Sequence, residues 1–288
     1  MRVLIFGAEG ILGRALMREI PDARGTTRTG RPLSPDRQIY GNIDIAERGD
    51  LEAVFDRAMP DVVINCAGIV KSEIDKHDPR RVTAVNAVAP HEIAKIAAEA
   101  RCRVIHVSTD CVYDGSRGGR RETDATDATD LYGVSKAAGE LVDYDHCVTI
   151  RTSFIGPDAR YHRGLLEWLR GQPSGGEISG YTHMLWSGLS APELARVIHR
   201  YVVKKDGSQP LLAPGLWHVS GPVINKADLL ETLIEAHGLS VRVNRIDEPR
   251  IDRTLDGSKF HAATGYVAPT WMQMAWDIGG DGEGFAAG

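Results

Sequence analysis

Long hydrophobic runs are absent from this chain of 288 residues. No stretch approaches the roughly 18 consecutive apolar residues that predict a membrane-spanning helix. The apolar run at residues 3–6 is interrupted by Gly7, which makes it too short for the core of a secretion signal. We therefore expect a cytoplasmic protein that has no membrane partner.

Metal-ligand patterns and excess basic charge are absent as well. The four cysteines form no CxxC pair, the ten histidines include no HExxH motif, and the formal net charge is −5. Zinc sites usually show closely spaced ligands, so we expect no metal ion and interpret most cysteines as small buried residues. Because binding to phosphate backbones needs basic surfaces, we also expect no nucleic-acid partner.

What the sequence does contain is an alternation of strand-like and helix-like segments. Strands are predicted at residues 3–6, 61–65, 103–108 and 147–151, and helices at residues 12–19, 87–100 and 133–142. Strict alternation of this kind predicts parallel βαβ units with right-handed crossovers. The predicted fold is α/β, a Rossmann-type doubly wound parallel sheet that binds a dinucleotide, over residues 1–155.

The pattern becomes less regular beyond residue 156. Helices are predicted at residues 163–169, 191–204 and 226–237, and Gly/Pro/Ser-rich connections at residues 171–180 and 207–215. We expect a smaller substrate-binding lobe at residues 156–278, with the helix at 190–204 packing back on the first domain. Residues 279–288 are predicted to be a flexible tail.

Three glycines with GxxGxxG spacing follow the first predicted strand directly. Such a loop, placed between a strand and a helix, lets a pyrophosphate approach the backbone and the unpaired N–H groups of the helix. The residues that we expect to bind the cofactor here are Gly7, Gly10, Ile11, Leu12 and Gly13. The alternative interpretation is an incidental tight turn.

The identity of the dinucleotide depends on the second strand, predicted at residues 23–27. NAD sites usually place Asp or Glu after it to bind the ribose 2′-hydroxyl, whereas Arg28 and Arg31 occur here. A guanidinium suits a 2′-phosphate, so we expect NADPH, with NAD as the alternative. Five further residues complete the expected cofactor site: Asp44 and Ile45 beside the adenine, and Cys66, Ala67 and Gly68 after the strand at 61–65.

The candidate catalytic residues are Thr109, Tyr132 and Lys136. Tyr132 and Lys136 lie one helical turn apart, and an ammonium near a tyrosine, whose free pKa is about 10, favours the ionised phenol. The lysine can also bind the nicotinamide ribose. Thr109 follows a strand at the edge where α/β sheets bind ligands. An exposed helix pair and an ordinary strand-end cap are the structural alternatives.

In order and spacing, these motifs resemble the extended short-chain dehydrogenase/reductase family. Residues 108–115 (Ser-Thr-Asp-Cys-Val-Tyr-Asp-Gly) are similar to the STDYVFDG segment of dTDP-4-dehydrorhamnose reductases, and residues 150–153 and 255–259 resemble other segments of that group. The resemblance implies reduction by NADPH of a 4-keto group on a nucleotide-activated 6-deoxysugar. It also implies roles: Thr109 polarises the ketone, Tyr132 is the general acid, and Lys136 tunes Tyr132. The expected substrate-side residues are Thr109, Asp110, Arg151 and Phe154.

Departures from the group's pattern leave the sugar open. Ala15 stands where some members have a metal-binding glutamate, and Phe154 where they have tryptophan. Cys111 occupies the glutamate position of the related dehydratases, which disfavours elimination of water. An epimerase with tightly bound NAD and a non-catalytic cofactor-binding regulatory subunit remain alternatives, and a homodimer stays open.

Overall fold

Seven parallel strands form the central sheet of a computed structural model that describes residues 1–30, 38–158, 161–162, 164–203 and 212–279. Several predicted features lie outside this part. They are Arg31, the first residue of the helix expected at 163–169, the last residue of the helix expected at 191–204, most of the connection expected at 207–215, and residues 280–288 of the expected tail. In chain order, the strands are β1 (Val3–Phe6), β2 (Arg24–Thr26), β3 (Ile39–Tyr40), β4 (Val62–Asn65), β5 (Arg103–Val107), β6 (Cys147–Arg151), β7 (Phe154–Ile155), β8 (Gly176–Tyr181), β9 (Met184–Trp186), β10 (Leu189–Ser190), β11 (Gly215–His218), β12 (Ile224–Asn225), β13 (Val241–Ile246) and β14 (Ile251–Asp252).

The sheet has the order β11-β6-β5-β4-β1-β2-β3. Every residue of β1, β4 and β6 is buried, as expected for parallel strands that are covered on both faces. Phe6 lies opposite Asn65, and Asn65 lies opposite His106, so the carboxyl ends of β1, β4 and β5 meet at one edge. The strand order reverses at β1, and the crevice at such a point is where doubly wound sheets bind ligands. The predicted fold class is confirmed.

Helices cover both faces of the sheet. They are α1 (Ile11–Glu19), α2 (Arg48–Ala58), α3 (Pro79–Thr83), α4 (Ala89–Glu99), α5 (Leu131–Ala138), α6 (Leu165–Arg170), α7 (Ala191–Val197), α8 (Lys226–Ala236), α9 (Ser258–Thr264) and α10 (Trp271–Gly279). One core contains Leu16 of α1 and Leu194 of α7, and the other contains Leu51 of α2 and Ile93 of α4. No helix in the described ranges is long and apolar enough to cross a bilayer.

Two helices near the site differ from their predicted bounds. The helix expected at 87–100 begins at Pro79, because Asp78 caps the backbone N–H of Arg80 and a π-helical turn, Ala84–Val88, joins α3 to α4. The helix expected at 133–142 begins at Leu131, where Asp130 accepts from the N–H of Gly133, and it ends at Ala138.

The prediction of a connection at 171–180 was wrong for its second half, which forms strand β8. Strand β8 pairs with β13 in parallel over six residues. A Cβ on Gly180 would lie 2.4 Å from Val243 Cγ1 and 2.9 Å from Ala227 Cα. This glycine therefore allows the strand to pack closely and does not form a turn.

The central sheet also takes a strand from beyond residue 155. Strand β11 pairs in parallel with β6, with Trp217 opposite Ile150. Three smaller sheets follow in the chain. Strand β7, at residues 154–155, pairs with β10, and the other two sheets, β8 with β13 and β9 between β12 and β14, come from beyond residue 155. Strand β14 leads into Arg253, which reaches the edge of the central sheet described next.

Candidate active site

The glycine loop forms a tight cradle between β1 and α1. Gly7 has a φ of +79°, and a Cβ there would lie 2.8 Å from the backbone nitrogen of Ala67. A Cβ on Gly13 would lie 2.1 Å from the carbonyl oxygen of Gly7. Side chains at these two positions would fill the space where the loop, the helix and the chain after β4 converge.

The start of α1 suits a phosphate group. Its N-cap is Gly10, which has no side chain that could accept from the first N–H groups of the helix. These N–H groups, at Ile11 and Leu12, lie at the positive end of the helix dipole. The residues present therefore fit a dinucleotide, and their contacts with it stay a prediction.

The end of β2 carries charges of both signs. Arg28 is exposed there. The glycine loop also brings a carboxylate to this place, because Thr29 Oγ1 donates to Glu9 Oε1 at 3.0 Å. The sequence shows no Asp or Glu directly after the second strand, but the fold places the Glu9 carboxylate there. Glu9 was missed because the contact joins two separate segments.

Asp44 is hydrogen-bonded to α3, a helix that the predicted cofactor site did not include. Its carboxylate accepts two hydrogen bonds from Arg81 Nη2, at 2.8 and 2.6 Å, and one from the N–H of Ala46 at 3.0 Å. Burial raises the pKa of Asp44, but these bonds and the charge of Arg28 outweigh it and lower the pKa. The neighbouring Ile45 side chain is buried in the core.

Thr109 and Tyr132 meet at the carboxyl edge of β5. Burial raises the pKa of Tyr132 well above its ordinary value, the Cys111 thiol adds to this, and the nearby Thr109 hydroxyl opposes it. The phenol consequently holds its proton at neutral pH. Thr109 Oγ1 also accepts from the N–H of Cys111 at 3.1 Å, which fixes the loop.

Lys136 is anchored to the same strand. Its Nζ is buried and donates to the carbonyl oxygen of Val107 at 2.9 Å. Burial lowers the pKa of Lys136 to about 8, while Glu140 and Cys66 act in the opposite direction. The predicted tuning of Tyr132 by this ammonium stays a prediction.

Arg151 forms a hydrogen-bonded network beside the site. Its Nε and Nη2 each donate to Glu140 at 2.7 Å, and its Nη1 donates to Tyr113 Oη at 2.6 Å. Both partners of the ion pair are buried, and Ser108 Oγ donates to Glu140 at 2.8 Å. The guanidinium thus binds Glu140 and Tyr113 in this structure, which gives it a structural role, and its expected contact with substrate stays a prediction.

The remaining substrate-side residues lie near the same edge. Asp110 is buried, which raises its pKa, and its carboxylate accepts from Thr109 Oγ1 at 3.2 Å. Phe154 is half-buried on β7 and packs against the core. Within the described part of the chain, no group of three or more His, Cys, Asp or Glu side chains is placed to bind a metal ion.

Comparison with known proteins decides the family. The model of the RmlD substrate binding domain matches residues 1–275. The chain belongs to this family. This confirms the resemblance to dTDP-4-dehydrorhamnose reductases found in the sequence motifs.

Two kinds of relative illustrate what this chain is similar to. Methionine adenosyltransferase 2 subunit beta of Xenopus laevis is 32% identical over 139 residues, which is 48% of this chain and 41% of that protein. The chain thus spans about two fifths of that relative's length. dTDP-4-dehydrorhamnose reductase of Salmonella typhimurium is 28% identical over 222 residues, 69% of this chain and 72% of that one.

A solved structure confirms the RmlD-family fold. The dTDP-4-dehydrorhamnose reductase of Bacillus anthracis, in complex with NADP, superposes with a TM-score of 0.75 over 96% of this chain and 98% of its own. Its sequence identity is 20%, so the likeness concerns the fold.

Proposed function

We propose that this protein is an NADPH-dependent reductase of a nucleotide-activated 4-keto-6-deoxysugar. The observation that carries the proposal is the placement of the Thr109 hydroxyl, at the carboxyl edge of β5, close enough to Tyr132 to influence the pKa of its phenol, on the sheet that also carries the glycine cradle. A reduction needs a general acid that holds its proton at neutral pH, and the phenol of Tyr132 meets that requirement. The relationship to the Salmonella reductase supports the same chemistry.

Each residue then has a defined task. NADPH, when bound, supplies the hydride, and Gly7, Gly10 and Gly13 hold its pyrophosphate. The Thr109 hydroxyl donates to the carbonyl oxygen of the sugar and orients it. Tyr132 Oη transfers its proton to that oxygen as negative charge develops there. The bond from Lys136 to Val107 fixes the helix that carries Tyr132.

A panel of substrates tests the proposal. Full-length protein is mixed with NADPH and with dTDP- and UDP-linked 4-keto-6-deoxyhexoses, the loss of reduced nicotinamide absorbance is followed, and the product is identified. We expect turnover of at least one nucleotide sugar. NADPH binding without turnover of any of them would instead support a regulatory subunit, the second candidate, which the match to methionine adenosyltransferase 2 subunit beta favours.

Arg28 is proposed to select NADPH by binding its 2′-phosphate. We expect Arg28→Asp to lower the ratio of kcat/KM for NADPH to that for NADH by about 10-fold or more, since a charge-assisted contact is lost and a repulsive carboxylate is added. Glu9 beside Thr29 is the observation that favours NAD as the alternative cofactor. The matched control is Arg242→Asp, on exposed Arg242 of β13. An unchanged ratio in Arg28→Asp would show that Arg28 does not read the phosphate.

A further inference from the structure

Arg253 is a half-buried cation beside the catalytic loop. Its Nη1 donates to Cys111 Sγ at 3.5 Å, and its Nη2 donates to the carbonyl oxygen of Asp114 at 3.3 Å. Its Nε is buried and has no hydrogen-bond partner among the residues that the structure describes. Neutral atoms therefore satisfy only part of a guanidinium that has five N–H groups.

The two most buried arginine side chains in the described ranges each have a carboxylate partner. Arg151 pairs with Glu140 at 2.7 Å, and Arg120 pairs with Asp127.

Arg253 forms no ion pair with any carboxylate in the described ranges. The charge of Arg253 acts on the nearby carboxyl groups of Asp110, Asp114 and Asp130 in the direction that lowers their pKa values, but none of them contacts the guanidinium as an ion pair. Because a charge that is partly removed from water without a counter-ion in contact is unfavourable, an anionic ligand at this place would be stabilising.

The position of Arg253 links it to the reacting groups. The Cys111 thiol, which accepts from Arg253, is close enough to Tyr132 to raise the pKa of that phenol. Burial raises the pKa of the neighbouring Asp110, and the charge of Arg253 opposes this. The guanidinium thus contacts the loop that carries Cys111, and the chain segment after β14 supplies it from the C-terminal region.

We propose that Arg253 binds an anionic oxygen of the substrate and thereby determines which substrates the site accepts. The anion is a phosphate of the nucleotide diphosphate or a carboxylate on the sugar, since a guanidinium binds both in the same bidentate manner. The inference rests on the proposed function only in taking a nucleotide sugar as the substrate. Its chemical basis, a guanidinium that contacts Cys111 and forms no ion pair in the described ranges, is independent of the hydride transfer.

Arg253→Gln and Arg253→Lys test the proposal in the full-length protein. We expect Arg253→Gln to raise the KM for the nucleotide sugar by about 10- to 100-fold, with a smaller rise for Arg253→Lys, because a charge-assisted hydrogen bond is lost or weakened. The KM for NADPH and the thermal unfolding midpoint should stay near their wild-type values, which a merely structural role would not give. If Arg253→Gln fails to fold, Arg253→Lys carries the test.

Calorimetric titration with dTDP and with UDP-glucuronate separates the two sources of the anion. A phosphate contact weakens binding of both ligands in Arg253→Gln, whereas a carboxylate contact weakens binding of UDP-glucuronate alone. These titrations need no turnover, so they decide the role of Arg253 even if the reductase proposal fails. The matched control is Arg250→Gln, because Arg250 is exposed on the same segment and pairs with Glu248 at 3.1 Å. Affinities and KM values within twofold of wild type in both Arg253 variants would overturn the proposal.

Discussion

Tyr132→Phe is expected to lower kcat by about 10²- to 10⁴-fold, the contribution typical of a positioned general acid. The substitution removes one oxygen from a side chain whose ring is already half-buried, so the fold and the glycine cradle should be unaffected. We therefore expect NADPH to bind with wild-type affinity, measured by quenching of protein fluorescence or by calorimetry. The loss should appear in kcat because the proton is transferred only in the chemical step.

The control for this experiment is Tyr144→Phe. Tyr144 lies outside the site, where its hydroxyl contacts His91 Nδ1 at 3.3 Å, and its loss should leave kcat within twofold of wild type. A Tyr132→Phe variant with near wild-type kcat would remove the general-acid assignment. Thr109→Val offers a second measurement, since it removes the hydroxyl that influences the pKa of Tyr132 while keeping the shape of the side chain.

The features that the sequence predicted well are those that depend on neighbouring residues. Strand β1 was predicted with its observed bounds, because a strand that is buried on both faces is a continuous apolar run. The glycine loop follows from three residues and their place between a strand and a helix. Tyr132 and Lys136 share a helix face through spacing alone.

The features that the sequence missed depend on contacts between distant segments. Arg253 and Cys111 are 142 positions apart, and Glu9 and Thr29 are 20 apart. No local pattern indicates that such pairs meet. The glycines at 171–180 led to an error of another kind. They predicted a connection, but residues from 176 onward form strand β8, in which Gly180 allows close packing.

Arg151 shows that the location of a residue can be predicted from the sequence while its contacts cannot. The sequence placed this residue at the end of β6, near the substrate edge, and the structure keeps it there. Its side chain binds Glu140 and Tyr113, because a buried guanidinium is unstable without a carboxylate partner. This network joins the end of α5 to β5 and β6 and so supports the helix that carries Tyr132 and Lys136.

Glu140→Gln is expected to destabilise the fold by about 3–5 kcal/mol, the cost of removing one partner of a buried ion pair. The side chains of Glu140 and Arg151 are 6% and 5% exposed. The glutamine fills nearly the same volume, so the loss comes from leaving the Arg151 charge buried without its counter-ion. Urea unfolding followed by circular dichroism measures it as a lower midpoint with an unchanged slope.

The same substitution in an exposed pair is the control for Glu140→Gln. Glu52 pairs with Arg48 at 2.7 Å with about half of each side chain exposed, and Glu52→Gln should cost less than about 1 kcal/mol. Replacing both buried partners, as in Glu140→Gln with Arg151→Met, should recover part of the lost stability, because no charge is then left unpaired. Equal losses in Glu140→Gln and Glu52→Gln would contradict the view that this buried pair holds the catalytic helix in place.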